Sequence, residues 1–364
     1  MKIVELTSVD GYIAFDLDCP LSAGGTRLAP DVTRHEAELL ARAMTYKFAV
    51  LGERIGGAKA VLRAKPEERA ETVARYCREI APLVASNTFL TSSDLGTRTE
   101  DFATLPGYRA DSVMHQEADG ALLDTTVTGL GVVAAADTAL GGLAGRTFAV
   151  EGFGKVGGAV VREAARRGAR IVALSTVYGC VADESGLDVA ALLELRAEHG
   201  DACVTRLGLP VLPAGQLYEV AADVLVPGAR TGALNAARAA RVRARVVAPA
   251  ANVPYTPSGL RTLRERGAEP LADFVCGAGA TIGYLAELAG RLTDADSLRD
   301  LVAEKVGLLT ATALEHPGGA FAGSRALAEE FLAAWCEPAG LREGPPLAPE
   351  QAVDGRGQAY SQST

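Results

Sequence analysis

Thr147-Phe148-Ala149-Val150-Glu151-Gly152-Phe153-Gly154-Lys155-Val156-Gly157 is the stretch that decides the fold. The first five residues read as a strand, the glycines as a tight turn, and the run to about Gly168 as a helix. Gly152-x-Gly154-x-x-Gly157, with a strand before it and a helix after it, has the spacing of a dinucleotide-binding turn. The glycines admit backbone N–H groups close to a pyrophosphate, and the helix N-terminus adds positive potential. Gly152, Gly154, Lys155, Val156 and Gly157 are therefore the candidate cofactor-binding residues; the competing reading is a plain strand–helix turn.

Downstream, Arg170–Ser175, Val224–Val226 and Arg245–Ala248 read as further strands. Strands alternating with helices predict a Rossmann-like, doubly wound parallel sheet over 127–296. An acidic residue for the ribose hydroxyl is expected about 20 residues after the glycines. That place reads Leu174-Ser175-Thr176-Val177-Tyr178-Gly179 and holds no acid. A carboxylate there would repel a 2′-phosphate, so its absence leaves NAD and NADP both open, with Ser175 and Thr176 as the hydroxyls on offer.

Upstream, residues 1–126 read as a separate α/β substrate domain, completed by apolar-faced helices at about 297–336. The first 30 residues suggest short strands and turns, and Thr33 and Glu36 have the spacing of a helix cap. Leu40, Met44 and Lys47 then share one helical face. Gly56-Gly57-Ala58-Lys59 reads as a glycine turn leading into a strand, residues 67–85 as a helix, and Thr88–Thr91 as a strand delivering Ser92-Ser93-Asp94. The tail, 338–364, is rich in Gly, Pro, Gln and Ser and is expected to be disordered.

Bulk properties narrow the partners. A chain of 364 residues with 48% hydrophobic residues fits two domains. A net charge of −9 without a basic run argues against nucleic acid and anionic membranes. The most apolar segment, 127–141, carries Thr128, Asp137 and Thr138, and reads as a buried helix rather than a membrane span. Met1-Lys2-Ile3-Val4-Glu5 lacks a signal-peptide apolar region, and six scattered cysteines show neither zinc spacing nor a disulfide framework. A reducing, cytoplasmic setting is expected.

Six of 36 basic residues are lysines, the rest arginines. Arginine does not usefully lose its proton, whereas a buried lysine can. Lys47 on an apolar stripe and Lys59 after a double glycine are thus candidates for chemistry. Two ammonium groups in one cleft depress each other's pKa; one could stay charged to hold a carboxylate while the other activates water. Asp94 could shuttle a proton to and from a substrate amine. The plainer alternative is a snorkelling Lys47, an exposed Lys59 and a helix-capping Asp94.

Five motifs, in order, bear on that choice: Gly24-Gly25-Thr26-Arg27, Met44-Thr45-Tyr46-Lys47, Gly56-Gly57-Ala58-Lys59, Asp94-x-Gly96-Thr97 and Gly152-x-Gly154-x-x-Gly157. Their order and spacing over about residues 10–335 resemble the glutamate/leucine/phenylalanine/valine dehydrogenases, and look closer to the leucine and phenylalanine members. The resemblance implies NAD(P)-dependent deamination of an L-amino acid to a 2-oxo acid and ammonium, or the reverse. It makes Lys47 the holder of the substrate carboxylate, helped by backbone at Gly24 and Gly25, Lys59 the catalytic lysine, and Asp94 the acid/base at the amino nitrogen. Thr128 matches the threonine facing the nicotinamide amide, and Asn252 the asparagine that contacts substrate and cofactor.

The sequence also departs from the family. Gly277 stands where the family's Asn-Ala-Gly-Gly stretch has its asparagine, the ribose acid is missing, and the N-terminus is short, which suggests a small homo-oligomer, a dimer. Ala23 stands where glutamate enzymes place a lysine for the distal carboxylate, and Ser92 where relatives often have alanine, so a bulky, aromatic or partly polar substrate is expected. Two alternatives remain at this stage: a non-catalytic dinucleotide-binding protein on the same scaffold, and a reductase of an unusual imine or oxo acid in specialised metabolism.

Overall fold

The computed structural model describes residues 1–118, 120–292, 294–336 and 344–350. They form two compact units. The first comprises Met1–His115 with the described part of Arg325–Pro346; the second comprises Gln116–Ser324 with the described residues after Pro346.

The first unit is built on β1 (Lys2–Glu5), β2 (Gly11–Phe15), β3 (Ser22–Leu28), α1 (Arg34–Val50), β4 (Gly56–Leu62), α2 (Arg69–Ala85) and β5 (Phe89–Ser93). Its sheet runs in the order β1-β2-β4-β3-β5. β1, β2 and β4 pair antiparallel, and β3 pairs parallel with both β4 and β5. The Thr33 hydroxyl accepts from Glu36 N at 3.1 Å and starts α1, as the cap spacing predicts. The two-residue period of β4 sorts its side chains between two helices. Ala58, Ala60 and Leu62 pack with Val73, Tyr76 and Ile80 of α2. Val61 packs with Ala37 and Ala41 of α1, so Lys59 shares the α1 face.

The glycines at 56 and 57 lie within β4, not in a turn before it. A methyl group on Gly57 would stand 2.0 Å from Ala41 O and 2.3 Å from Thr45 N of α1. The missing side chain is what lets α1 approach the strand, and Gly57 N donates to the Thr45 hydroxyl at 3.0 Å. Gly57→Val is expected to cost about 1–3 kcal/mol or more through this overpacking. A thermal melt should show a Tm lower by several degrees; an unchanged Tm would contradict this account of α1.

The second unit contains β6 (Glu117–Ala118), β7 (Ala121–Leu122), α3 (Leu123–Leu140), β8 (Thr147–Glu151), α4 (Lys155–Arg166), β9 (Arg170–Thr176), β10 (Gly179–Ala182) and α5 (Val189–His199). It continues through β11 (Ala222–Pro227), α6 (Ala236–Ala239), β12 (Ala244–Val247), α7 (Pro257–Glu265), β13 (Glu269–Pro270), α8 (Asp273–Cys276), α9 (Gly279–Leu288) and α10 (Ala295–Leu314). The sheet order is β10-β9-β8-β11-β12-β13. All neighbours are parallel except β9 and β10, which form an antiparallel hairpin at one edge. Chain order reverses at β8, between β9 and β11, and the glycine turn leaves the carboxyl end of that strand. This is the switch point where doubly wound sheets bind ligands.

The helices expected at 297–336 divide. α10 packs on α3 within the second unit, and the boundary falls inside α11 (Gly319–Ala333). Residues 337–343 and 351–364 of the tail lie outside the described residues. Between them, Ala348 N donates to Tyr255 O at 2.8 Å and Ser258 N to the Glu350 carboxylate at 2.8 Å, so this part of the tail is anchored. Among the described residues no helix is long and apolar enough to cross a membrane.

Candidate active site

Lys59 projects from the middle of β4 and is only 4% exposed. Lys47, on the helix covering that face, is 7% exposed. Asp94 directly follows β5, in a turn pinned by Thr97. The Thr97 hydroxyl accepts from Asp94 N at 2.9 Å and donates to Thr26 O at 2.8 Å, which ties the turn to β3. The parallel register sets Gly25 beside Ser92 and Ala23 beside Leu90. Three segments therefore converge: Lys59 Nζ lies 2.5 Å from Asp94 Oδ2, and a methyl built on Gly25 would stand 3.4 Å from Lys59 Nζ and 3.1 Å from Asp94 Cβ.

The bland arrangement, with an exposed Lys59 and a capping Asp94, is thus not what the chain adopts. Burial, the largest influence, pushes the Lys59 ammonium below its usual range. Asp94 opposes that fall, and the like charge of Arg27 adds to it. For Asp94 burial alone would favour the neutral acid, but Arg27 and then Lys59 outweigh it and hold the carboxyl well below the carboxylate range.

Arg27 and Glu36 have no assigned role in the sequence reading, yet both belong to this cluster. Arg27 Nε lies 3.1 Å from Asp94 Oδ2, and its Nη1 lies 2.5 Å from Glu36 Oε1. Arg27 closes the first glycine motif, and Glu36 was visible only as a cap residue. The signal that could have found them was the sign alternation of the charges, which needs the fold to be seen.

In the second unit the glycine turn joins β8 to α4. Gly154 caps α4 without any side-chain hydrogen bond, so the first amides of a 12-residue helix face outward unpaired by a cap. A methyl on Gly154 would meet nothing within 4 Å, whereas one on Gly157 would stand 2.1 Å from Gly152 O. Lys155 is exposed and Val156 half-buried. Nearby, Ser175 is paired in register with Glu151, and its carbonyl accepts from Gly152 N at 2.9 Å. Thr176 donates its hydroxyl proton to Asp201 O at 2.8 Å and accepts from Tyr178 N at 3.2 Å, so only acceptor capacity is left for a ribose.

Thr128 lies on α3 and donates back to Asp124 O at 2.8 Å. Half-buried Asn252 precedes Val253, a β-branched residue at φ 50, which is strained backbone. Val253 N donates to the buried Asp273 carboxylate at 2.9 Å, and Val253 O accepts from Gly232 N at 2.9 Å. These bonds hold the strained peptide that follows Asn252. Gly277 caps α8, and its N–H donates to Asp273 O at 2.8 Å.

Comparison with known proteins shows what the whole chain is similar to. The family model described as Glutamate/Leucine/Phenylalanine/Valine dehydrogenase matches residues 120–306, and that described as Glu/Leu/Phe/Val dehydrogenase, dimerisation domain, matches residues 5–108. The chain is 30% identical over 301 residues to a glutamate dehydrogenase of Thermotoga maritima, covering 76% of this chain and 72% of that one. It is 32% identical over 282 residues to an NADP(+)-dependent glutamate dehydrogenase of Pyrobaculum calidifontis, covering 71% and 67%. Among solved structures it resembles the hetero-hexameric glutamate dehydrogenase of Thermus thermophilus in its leucine-bound form, with a TM-score of 0.75, 27% identity and coverage of 89% and 84%. The L-tryptophan dehydrogenase of Nostoc punctiforme shares the fold, with a TM-score of 0.61, 22% identity and coverage of 92% and 96%.

Proposed function

Since the chain belongs to the glutamate/leucine/phenylalanine/valine dehydrogenase family, and is an NAD(P)-dependent amino-acid dehydrogenase, we propose that Lys59 and Asp94 are its catalytic pair and that its substrate is a neutral, bulky L-amino acid. The observation that carries the first part is the 2.5 Å contact between a buried Lys59 and Asp94, beside the backbone of Gly25. A structural lysine gains nothing from such burial, because the desolvation cost of two charges is repaid only in part by their attraction.

The residues divide the work as follows. Lys47 and the backbone at Gly24 and Gly25 hold the substrate carboxylate. Asp94, anionic at rest, takes a proton from the substrate ammonium, leaving the free amine. The glycine turn, Thr128 and Asn252 would hold the nicotinamide cofactor, which would supply the acceptor for the hydride that leaves the α-carbon. Neutral Lys59 takes a proton from water as that water adds to the resulting imine. Asp94 returns its proton to the nitrogen, ammonia departs as Asp94 takes up the hydroxyl proton of the adduct, and the oxo acid remains; Lys59 and Asp94 then release their protons to solvent. The reverse order gives reductive amination. Ser175 and Thr176 line the ribose end in this reading, and either NAD or NADP is accommodated.

Ala23 carries the substrate reading. It presents no cation to a distal carboxylate and leaves room for a larger side chain, while Ser92 adds a hydroxyl. A pocket methylene is worth only about 1–3 kcal/mol, so a preference rather than absolute selection is expected. The test is to follow reduced cofactor with NAD or NADP and a panel of L-amino acids. Leucine, phenylalanine, tyrosine or tryptophan should give the highest kcat/KM and glutamate the lowest. Fastest turnover with glutamate would overturn the substrate reading, and no turnover with any amino acid, or with oxo acids and ammonium, would overturn the catalytic assignment. The same proposal includes a cytoplasmic homo-oligomer, a dimer, which sedimentation would distinguish from a hexamer.

A further inference from the structure

We propose that Arg27, anchored by Glu36, is a positioning residue that fixes the Asp94 carboxylate against Lys59 and biases which of the two holds the proton. The inference rests on the assignment of Lys59 and Asp94 as the catalytic pair.

Four charges alternate along a line: Lys59, Asp94, Arg27, Glu36. Both cations converge on one oxygen, Asp94 Oδ2, with Lys59 Nζ at 2.5 Å and Arg27 Nε at 3.1 Å. The Arg27 side chain is 12% exposed, and its far end is taken by Glu36 at 2.5 Å. The Glu36 backbone is set by the cap, its N–H donating to the Thr33 hydroxyl in the first turn of α1. The guanidinium thus bridges a carboxylate at the end of β5 to another on α1, using two edges of one rigid fork.

Lys59 and the Leu95 backbone N–H each hold the Asp94 carboxylate. Arg27 adds a further side-chain donor, from β3, and so restricts its last torsion more closely. Arg27 also acts through its charge. It stabilises the Asp94 anion and disfavours a proton on Lys59, so the resting pair is biased toward a carboxylate beside an easily deprotonated amine. The charged groups that bear on Lys59 are Asp94, Arg27 and Glu36, with Lys47 on the same covering helix. An amine that must be neutral to take a proton from water benefits from this bias at neutral pH.

The experiment is a pH profile of kcat/KM for the full-length enzyme with saturating cofactor, comparing wild type with Arg27→Met, Arg27→Lys and Glu36→Gln. Removing the Arg27 charge lets Lys59 keep its proton to higher pH, so the lower-pH limb for Arg27→Met should move upward by about one unit or more. At neutral pH that is roughly a tenfold or larger loss, falling mainly on kcat rather than KM. Arg27→Lys should restore part of the limb, because it returns the charge without the bridging fork. Glu36→Gln should lower kcat/KM modestly, because the guanidinium loses its anchor, and should move the limb to lower pH, opposite to Arg27→Met, because the Glu36 charge raises the Lys59 pKa. A loss uniform across pH, with the limb unmoved in Arg27→Met, would reduce Arg27 to a structural role and overturn the proposal. If melting shows that Arg27→Met does not fold, Glu36→Gln decides: wild-type kcat and an unmoved limb would overturn it equally. A wild-type enzyme inert toward every amino acid would instead overturn the underlying assignment.

Discussion

Lys59→Met is expected to lower kcat by about two to four orders of magnitude, the usual worth of a positioned general base, while the protein still folds and still binds dinucleotide. Methionine has nearly the length of lysine and keeps the α1 face of β4 filled, so the packing of Gly57 and Val61 against α1 is preserved. The carboxylate left behind is not stranded, because Arg27 still pairs with Asp94 Oδ2 at 3.1 Å. What disappears is the buried amine in contact with Asp94 Oδ2.

The pH dependence gives the sign of the effect. Lys59 must be neutral to accept a proton from water, and its pKa is lowered from 10.5, chiefly by burial, with Arg27 assisting and Asp94 opposing. The wild-type kcat/KM should therefore rise with pH through a limb below 10.5. Lys59→Met should show only its residual rate and no such limb. A variant that keeps both rate and limb would remove Lys59 from the mechanism, and the limb would belong to another group. The companion variant Asp94→Ala should behave differently, since it leaves Lys59 and Arg27 as neighbouring cations without their shared anion. Breaking a buried pair in that way costs about 3–5 kcal/mol, a loss visible in the melting curve before any assay.

Gly157→Ala should weaken dinucleotide binding by about 10–100-fold and also lower the Tm of the free protein. The added methyl would stand 2.1 Å from Gly152 O and 3.0 Å from Gly152 C, well inside contact distance. Either α4 retreats from the turn or the turn opens, and overpacking of this kind costs about 1–3 kcal/mol. If the turn takes up the strain, the amides at the helix start leave the position a pyrophosphate needs, and each 1.4 kcal/mol is tenfold in affinity. Gly154→Ala separates the two effects. Its methyl meets no protein atom within 4 Å and its backbone is at φ −77, so the free protein should melt as wild type. Only an approaching phosphate would find the space occupied. Titration of the reduced cofactor with each variant, alongside melting of the free protein, reads both quantities. Equal affinities for wild type and Gly157→Ala would show that the turn does not bind the cofactor.

The amino-acid order alone determined most of the elements and nominated the candidate site residues. Apolar runs and a helical pattern mark β8, α4 and β9, a cap marks the start of α1, and five motifs in fixed order mark Lys47, Lys59, Asp94 and the glycine turn as candidates. Such signals are local: each lies within one turn, strand or helix. Tertiary structure decided the rest. It placed Gly56 and Gly57 inside β4, because α1 needs the room, and turned β10 antiparallel at the sheet edge. It put Val253 in a strained conformation held by a carboxylate 20 residues away. It brought Arg27, 67 residues before Asp94, onto the oxygen that Lys59 already holds. Charges so far apart along the chain meet only through strand register and helix packing, and no repeat in the sequence records which of them will share an atom.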